Sequence, residues 1–143
     1  MPELNVYNHQ AVMSLEASLC DRLQLSGRKA VSEALQLGGE SSVLQDIDEV
    51  EVSLVDDETI AEMHLQLMNI PGPTDVITFA HGEIHISVET AKRQSEEYAN
   101  DFERELMLYV VHGLLHLAGY DDATERESNA MEELQSAILS KVW

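Results

Sequence analysis

The feature that most constrains the fold of this sequence is an apolar run over residues 106–118 that contains two histidines. The run is far shorter than the roughly 20 apolar residues that span a bilayer. A helix that is apolar almost all round lies in the centre of a domain, covered by other elements. The sequence therefore predicts a buried central helix from Phe102 to Leu117, and no transmembrane helix.

The two histidines of this helix have the spacing of metal ligands. Four helical residues turn through about 400°, so His112 and His116 lie on one face. Gly119 suits the left-handed conformation that ends a helix, and the following turn can return Asp122, or less readily Asp121, toward the pair. Two imidazole nitrogens and one carboxylate oxygen form a recognised catalytic zinc set with a fourth position for water.

The histidine pair has two other interpretations. Both rings could be hydrogen-bonded core side chains, but unpaired polar groups in so apolar a helix cost about 1–3 kcal/mol each, which favours a metal site. Zinc proteases carry a glutamate base directly after the first histidine, and this chain has Gly113 there. Ordinary zinc-protease chemistry is therefore disfavoured.

The remaining periodicities predict an α+β fold. Ser26 is the expected cap of the first helix, and Thr124 with Glu127 has the capping-box pattern of the last one. Early strands and late helices indicate one domain over residues 1–143, with a small mixed four-stranded sheet, about five helices packed on it, and the metal ligands on the buried central helix. The expected strands are 4–7, 49–55, 75–80 and 83–88. The expected helices are 26–37, one that Asp56 or Asp57 caps and that ends before Pro71, and then 89–98, 102–117 and 124–142.

The charge is strongly acidic. Eight Lys and Arg residues against 27 Asp and Glu residues give a net charge of −19. Such a surface repels polyanions and argues against indiscriminate nucleic-acid binding. A single cysteine, Cys20, and an N-terminus without a basic and apolar leader predict a cytoplasmic protein with no membrane association.

Three motifs, in order, carry a resemblance to a known family. They are Pro-Thr-Asp-Val-Ile-Thr-Phe at 73–79, Gly-Glu-Ile-His-Ile at 82–86, and His-Gly-Leu-Leu-His-Leu-Ala-Gly-Tyr-Asp at 112–121. Over roughly residues 48–142 the chain resembles the YbeY-type, zinc-dependent endoribonucleases of bacterial ribosomal RNA maturation.

The resemblance implies a function and its partners. It implies a metal-dependent endoribonuclease acting in 16S rRNA maturation and ribosome quality control, with one zinc ion on His112, His116 and Asp122. Ribosomal RNA is the expected partner, and a basic ribosomal protein would complement the acidic surface. The sequence identifies no general base.

Two positions depart from the family pattern. Asp122 stands where the family has a histidine. Its carboxylate oxygen is harder than an imidazole nitrogen and is anionic, so it suits manganese or another divalent ion better than a histidine would. Met68 stands where the family has an arginine that contacts phosphate, and a methionine cannot form that pair. Two alternatives thus stay open: a metalloprotease-like amide hydrolase, and a non-catalytic ribosome-associated protein with a structural metal site.

Several side chains near these motifs have expected roles. Asp75 either orients an imidazole or holds backbone amides in a turn. His85 either lines the cleft or, as expected here, is exposed on its strand. Tyr120 is expected to pack beside the metal or act on substrate. Phosphate contacts are expected from Arg104 and from residues 92–93.

Overall fold

The structure, a computed structural model that describes residues 1–143, is built on a mixed sheet. The strands are β1 (Glu3–Asn8), β2 (Glu49–Val55), β3 (Val76–Phe79) and β4 (Glu83–Ser87). Their order across the sheet is β1-β2-β4-β3, with β1, β2 and β4 parallel and β3 antiparallel to β4. Because β3 pairs only with β4, its other side forms an outer edge of the sheet.

The alternating residues of β2 and β4 form the floor of the core. Val52 lies opposite Ile84 and Leu54 opposite Ile86, and all four side chains are fully buried. This register places the apolar face of both strands toward the same helices, as the period-2 pattern of β2 predicts.

Five helices cover this floor. They are α1 (Ala17–Leu37), α2 (Asp57–Met68), α3 (Val88–Glu97), α4 (Phe102–Leu117) and α5 (Glu125–Val142), with a short 3₁₀ turn at Leu44–Asp46. Helix α4 is central, since it contacts α1, α3, α5, β3 and β4. The predicted α+β class, the four-stranded mixed sheet and the buried central helix are confirmed. None of the five helices combines the length and hydropathy needed to cross a membrane.

Helix α4 approaches β4 closely at a glycine. A Cβ built on Gly113 would lie 2.7 Å from Cδ1 and 2.9 Å from Cγ2 of Ile84. Any larger residue would collide with a fully buried side chain, so the glycine fixes the distance between helix and sheet.

The predicted start of the first helix is wrong. Helix α1 begins at Ala17 rather than Ser26, and Ser26 is buried in the helix interior instead of capping it. Leu19 and Leu23 are buried ahead of Ser26, so two further turns of the helix contribute to the core. Burial of this apolar face outweighed the local preference of serine for a cap.

The predicted caps of α2 and α5 are confirmed. Asp56 caps α2 by accepting a hydrogen bond from the Thr59 amide at 2.8 Å. At α5 the Thr124 hydroxyl accepts the Glu127 amide, and the Glu127 carboxylate accepts the Thr124 amide, both at 3.1 Å. The capping box therefore fixes where the chain re-enters a helix after the turn that follows α4.

Candidate metal centre

The last turn of α4 presents the two histidines together. The rings of His112 and His116 lie edge to face with centroids 4.6 Å apart, and their Nε2 atoms are 3.0 Å apart. The helix then ends in a Schellman turn, in which the amides of Gly119 and Tyr120 donate to the carbonyls of His116 and Leu115, each at 3.0 Å. Gly119 has the predicted left-handed conformation, with a φ of 98°. The chain thus reverses directly beside the histidine pair.

This reversal brings one carboxylate back to the histidines. Oδ2 of Asp122 lies 3.4 Å from Nε2 of His112 and 3.7 Å from Nε2 of His116. Asp121 instead accepts a hydrogen bond from the Asp122 amide at 2.9 Å. The structure therefore groups the three residues predicted as metal ligands and leaves Asp121 outside the group.

The spacing of these three donor atoms suits a tetrahedral ion. With bonds of about 2.0–2.1 Å, neighbouring donors around zinc lie about 3.3–3.4 Å apart. The observed separations of 3.0, 3.4 and 3.7 Å bracket that value. Two imidazole nitrogens and one carboxylate oxygen are also a donor set that zinc accepts.

A glutamine on α5 orients the first histidine. Nδ1 of His112 lies 2.5 Å from Oε1 of Gln135. A carbonyl oxygen only accepts hydrogen bonds, so Nδ1 carries the proton and the Nε2 lone pair faces the cluster. Gln135 was not predicted from the sequence, although it interrupts the apolar stripe of Met131 and Ile138 on α5, and that interruption was the available signal.

The second histidine is held in its neutral form. Burial lowers the pKa of His116 below its ordinary value, and the neighbouring ring of His112 lowers it further. Asp122 has the opposite effect but does not outweigh these two causes. Neutral imidazole is the form that binds a metal ion, so the site favours the ligand state of His116.

The three donors lie in the wall of an open cleft of about 570 Å³. One side of this cleft is the segment 74–80, which includes the outer edge of β3, and Met68 lies on its rim with about half of its surface exposed. The lining residues are Ser41, Val43, Met68, Thr74, Asp75, Val76, Ile77, Thr78, Ala80, His112, His116, Leu117 and Asp122. A substrate in the cleft would therefore contact the metal centre and the edge of the sheet together.

A smaller pocket of about 220 Å³ adjoins the cleft and shares Asp75, Val76 and His112 with it. The other residues of this adjoining pocket are Gln94, Tyr98, Asn100, Glu105, Leu108, Tyr109 and Gln135. Glu105 lies on α4 seven residues before His112, and only 6% of its surface is exposed. Glu105 was not predicted from the sequence, although a charged residue in the most apolar helix was a visible signal.

Comparison with known proteins assigns the chain to a family. The family model described as Endoribonuclease YbeY matches residues 20–143. The chain belongs to the endoribonuclease YbeY family. Proteins named Endoribonuclease YbeY from Desulfitobacterium hafniense, Bacillus cereus and Acholeplasma laidlawii are 34%, 36% and 40% identical to it. The three alignments cover 85%, 76% and 70% of this chain and 88%, 82% and 81% of those proteins.

A solved structure supports the same assignment. The solution structure of TM1509 from Thermotoga maritima is 27% identical in sequence and superposes with a TM-score of 0.60. The match covers 98% of this chain and 89% of that one. The YbeY-type architecture expected from the sequence motifs is therefore confirmed.

Two side chains with alternative predicted roles serve the local structure of the YbeY motifs. Oδ1 of Asp75 accepts hydrogen bonds from the Val76 amide at 2.8 Å and the Thr74 hydroxyl at 3.4 Å, which is the turn role. The Tyr120 hydroxyl donates to the Leu37 carbonyl at 2.8 Å. Tyr120 thereby ties the turn after α4 to the end of α1.

The prediction that His85 is exposed is wrong. Only 14% of its side chain is accessible, because the ring packs edge-on against Phe79 of β3, with centroids 5.4 Å apart. Its Nε2 lies 3.2 Å from a carboxylate oxygen of Glu83. Phe79 of the neighbouring strand thus covers the side of β4 on which His85 lies. The alternation of residues within β4 gives no information about that neighbour.

The basic residues expected to contact phosphate lie outside the cleft. Arg93 pairs with Asp57 at 2.6 Å, and Lys92 lies 3.5 Å from Glu96. Arg104 is exposed in the first turn of α4. Neither the cleft nor the adjoining pocket is lined by a lysine or an arginine.

Proposed function

We propose that this chain is a metal-dependent endoribonuclease that cleaves ribosomal RNA in 16S rRNA maturation and ribosome quality control. The observation that carries the proposal is the cluster of three donors in the wall of an open cleft, in a chain of the YbeY family. The relatives named endoribonucleases supply the substrate class.

His112, His116 and Asp122 would hold one zinc ion through Nε2, Nε2 and Oδ2. An ion held there would supply Lewis-acid chemistry for phosphodiester hydrolysis, namely polarisation of a phosphoryl oxygen and activation of water. Gln135 keeps the His112 proton on Nδ1, and the turn at Gly119 holds Asp122 in place. The anionic oxygen of Asp122 also suits manganese or another divalent ion.

The same proposal extends to the cellular setting. Ribosomal RNA is the partner, and the protein works in the cytoplasm. A basic ribosomal protein would dock on this acidic surface, since opposite charge speeds and orients association. The net charge of −19 supports such a partner.

The amide-hydrolase alternative has a specific difficulty in the packing of α4. The glutamate base of zinc proteases follows the first histidine, and here that position is Gly113 against Ile84. A glutamate could not enter there without displacing β4. The position thus serves helix packing and lacks the base that peptide hydrolysis requires.

The structural-metal alternative is disfavoured by the donor count. Structural zinc sites are closed by four protein ligands, whereas catalytic sites keep a position for water or substrate. The present cluster supplies three donors, with Asp122 partly exposed to the cleft. This arrangement favours an ion that can reach substrate.

Cleavage assays with matched histidine variants test the function. We expect the zinc-loaded protein to cleave single-stranded or structured fragments of 16S rRNA, and His112→Ala to lower kcat/KM on the order of 100-fold or more. The matched control His9→Ala changes an exposed histidine outside the cleft and should behave as wild type. If the zinc-loaded protein cleaves no rRNA fragment and His112→Ala cells mature 16S rRNA normally, the proposal is wrong.

Metal analysis tests the ligand set separately from cleavage. We expect one ion per chain, and Asp122→Ala should weaken its binding by at least about tenfold, measured by competition with a chelator. Unchanged affinity in Asp122→Ala, with the ion bound by the two histidines alone, would refute Asp122 as a ligand.

A further inference from the structure

We infer that the adjoining pocket beside His112 binds a nucleobase of the RNA, next to the phosphodiester positioned at the metal centre. The inference rests on the proposed function for its substrate class. It assigns to the pocket a separate task, the recognition of an uncharged aromatic ring.

The pocket contains a buried acidic side chain without a protein partner. Glu105 is 94% buried and lines the pocket, and no protein donor hydrogen-bonds to its carboxyl group. Its carboxyl oxygens open onto the pocket, where water or a ligand can hydrogen-bond to them. Burial raises the pKa of Glu105.

Three side-chain amides line the same pocket as this carboxyl and keep their NH₂ groups available. Oε1 of Gln94 accepts the Tyr109 hydroxyl, and Oε1 of Gln135 accepts from His112, so both amide nitrogens remain free to donate. The side-chain amide of Asn100 has no protein hydrogen bond and also lines the pocket. These donors suit the carbonyl oxygens and ring nitrogens on the edge of a nucleobase.

An aromatic side chain at the pocket supplies a stacking surface. Tyr98 follows the last turn of α3, lines the pocket and has 67% of its surface exposed. Exposed aromatic rings beside polar grooves are the platforms on which single-stranded nucleic acids stack their bases. Leu108 and Val76 provide apolar wall beneath the polar groups.

The charge of the pocket excludes the phosphate and admits the base. Asp75 and Glu105 are its two acidic residues, and no lysine or arginine lines it. A phosphate would be repelled there, whereas a nucleobase is uncharged. Its volume of about 220 Å³ equals that of about seven water molecules at about 30 Å³ each, which is enough for a planar heterocycle.

The position of the pocket links the base to the cleaved bond. The ring of His112 separates the pocket from the cleft, with Nδ1 toward Gln135 on one side and Nε2 toward Asp122 on the other. A nucleotide whose phosphate reaches the metal centre can therefore place its base on the far side of the same ring.

Nucleoside binding tests the pocket without requiring cleavage or metal. We expect uridine, cytidine, adenosine or guanosine, titrated into the ¹⁵N-labelled protein, to shift the side-chain amide signals of Asn100 and Gln94. Tyr98→Ala should weaken this binding about 5- to 150-fold, the range of one lost base–aromatic stack. Tyr98→Phe keeps the stacking face and should bind within about twofold of wild type. If no nucleoside shifts these signals, or Tyr98→Ala binds as well as wild type, the inference is wrong.

Oligonucleotide cleavage tests the same pocket in the full reaction. Removing the base from a nucleotide next to the cleaved bond should raise KM for wild type and leave kcat little changed. Tyr98→Ala should show a raised KM with the intact oligonucleotide and a smaller further rise with the abasic one than wild type shows, because only the hydrogen bonds to the base remain to be lost. Equal KM values for both oligonucleotides in wild type would refute the base pocket and leave the nuclease function standing. Nucleoside binding by a protein that cleaves no RNA would refute the nuclease function and support the pocket.

Discussion

A single hydrogen bond from His112 to Gln135 decides which ring nitrogen faces the cleft. Gln135→Ala removes the acceptor, so the ring can rotate and change tautomer, and we expect zinc affinity to fall about 10- to 100-fold. Competition with a chromophoric chelator measures the change. The control Gln36→Ala alters an exposed glutamine of α1 and should leave the affinity unchanged. An unaltered zinc affinity in Gln135→Ala would show that the hydrogen bond does not hold the ligand.

Among single residues, the sequence predicted the positions that the geometry of one helix and its turn determines. The spacing of His112 and His116 and the glycine that follows them place three side chains together, because all of them belong to one helix and its turn. Gln135 and Glu105 were missed because their importance depends on which elements pack together. A residue on α5 reaches His112 only through the tertiary fold.

Helix α4 and strand β4 are set apart by the missing side chain of Gly113. Gly113→Ala places a methyl group within 3.0 Å of three atoms of Ile84, an overpacking that costs about 1–3 kcal/mol. The gain in helix propensity offsets up to about 1 kcal/mol of this cost. We expect a net loss of unfolding free energy on the order of 1 kcal/mol, measured by urea denaturation. Gly39→Ala is the control, because no atom lies within 4 Å of a Cβ built at that position. Equal stability of the two variants would contradict the close approach.

Helices α2 and α3 are joined through Asp57. Its carboxylate accepts hydrogen bonds from Ser87 at 2.6 Å, Thr90 at 2.7 Å and Arg93 at 2.6 Å. Burial alone would raise the pKa of Asp57, but the bonds from Arg93, Ser87 and Thr90 outweigh it and lower the pKa below its ordinary value.

This lowered pKa fixes the sign of a pH dependence. The stabilisation is complete above the unfolded pKa of about 3.9 and is lost as the pH falls through the lower folded value. We expect the stability difference between wild type and Asp57→Asn to be constant from about pH 7 to 5 and to shrink below about pH 4. Urea denaturation at each pH measures it, with Asp21→Asn, on the exposed face of α1, as control. A difference that stays constant down to about pH 2 would contradict the network.

Periodicity predicted the elements of this fold better than it predicted their limits. The strand over Glu49–Val55 and the helix over Phe102–Leu117 have the predicted bounds, because their apolar patterns are continuous. The start of α1 was missed because serine is a common helix cap, whereas Ser26 is buried like a core residue. Only the packing of the helix against the sheet decides between the two.

The whole molecule carries a net charge of −19, and no lysine or arginine lines its cleft. We therefore expect RNA binding by the isolated protein to involve two or three phosphate contacts at most. The slope of log affinity against log salt should then be about −1.4 to −2.1, at about −0.7 per contact on a single strand. Fluorescence anisotropy with a labelled single-stranded oligonucleotide measures it across a salt series. A slope that implies six or more contacts would reveal a basic surface that the folded chain does not show at the cleft.

The outer edge of β3 places uncharged hydrogen-bonding groups at the cleft of this acidic molecule. Segment 74–80 borders the cleft, and the backbone N–H and C=O groups on the free side of an edge strand have no neighbouring strand to pair with. A backbone amide bonds to a phosphate oxygen without displacing the condensed cations that lysine and arginine release. If an RNA strand lies along this edge, its hydrogen bonds to the backbone should therefore persist as the ionic strength rises.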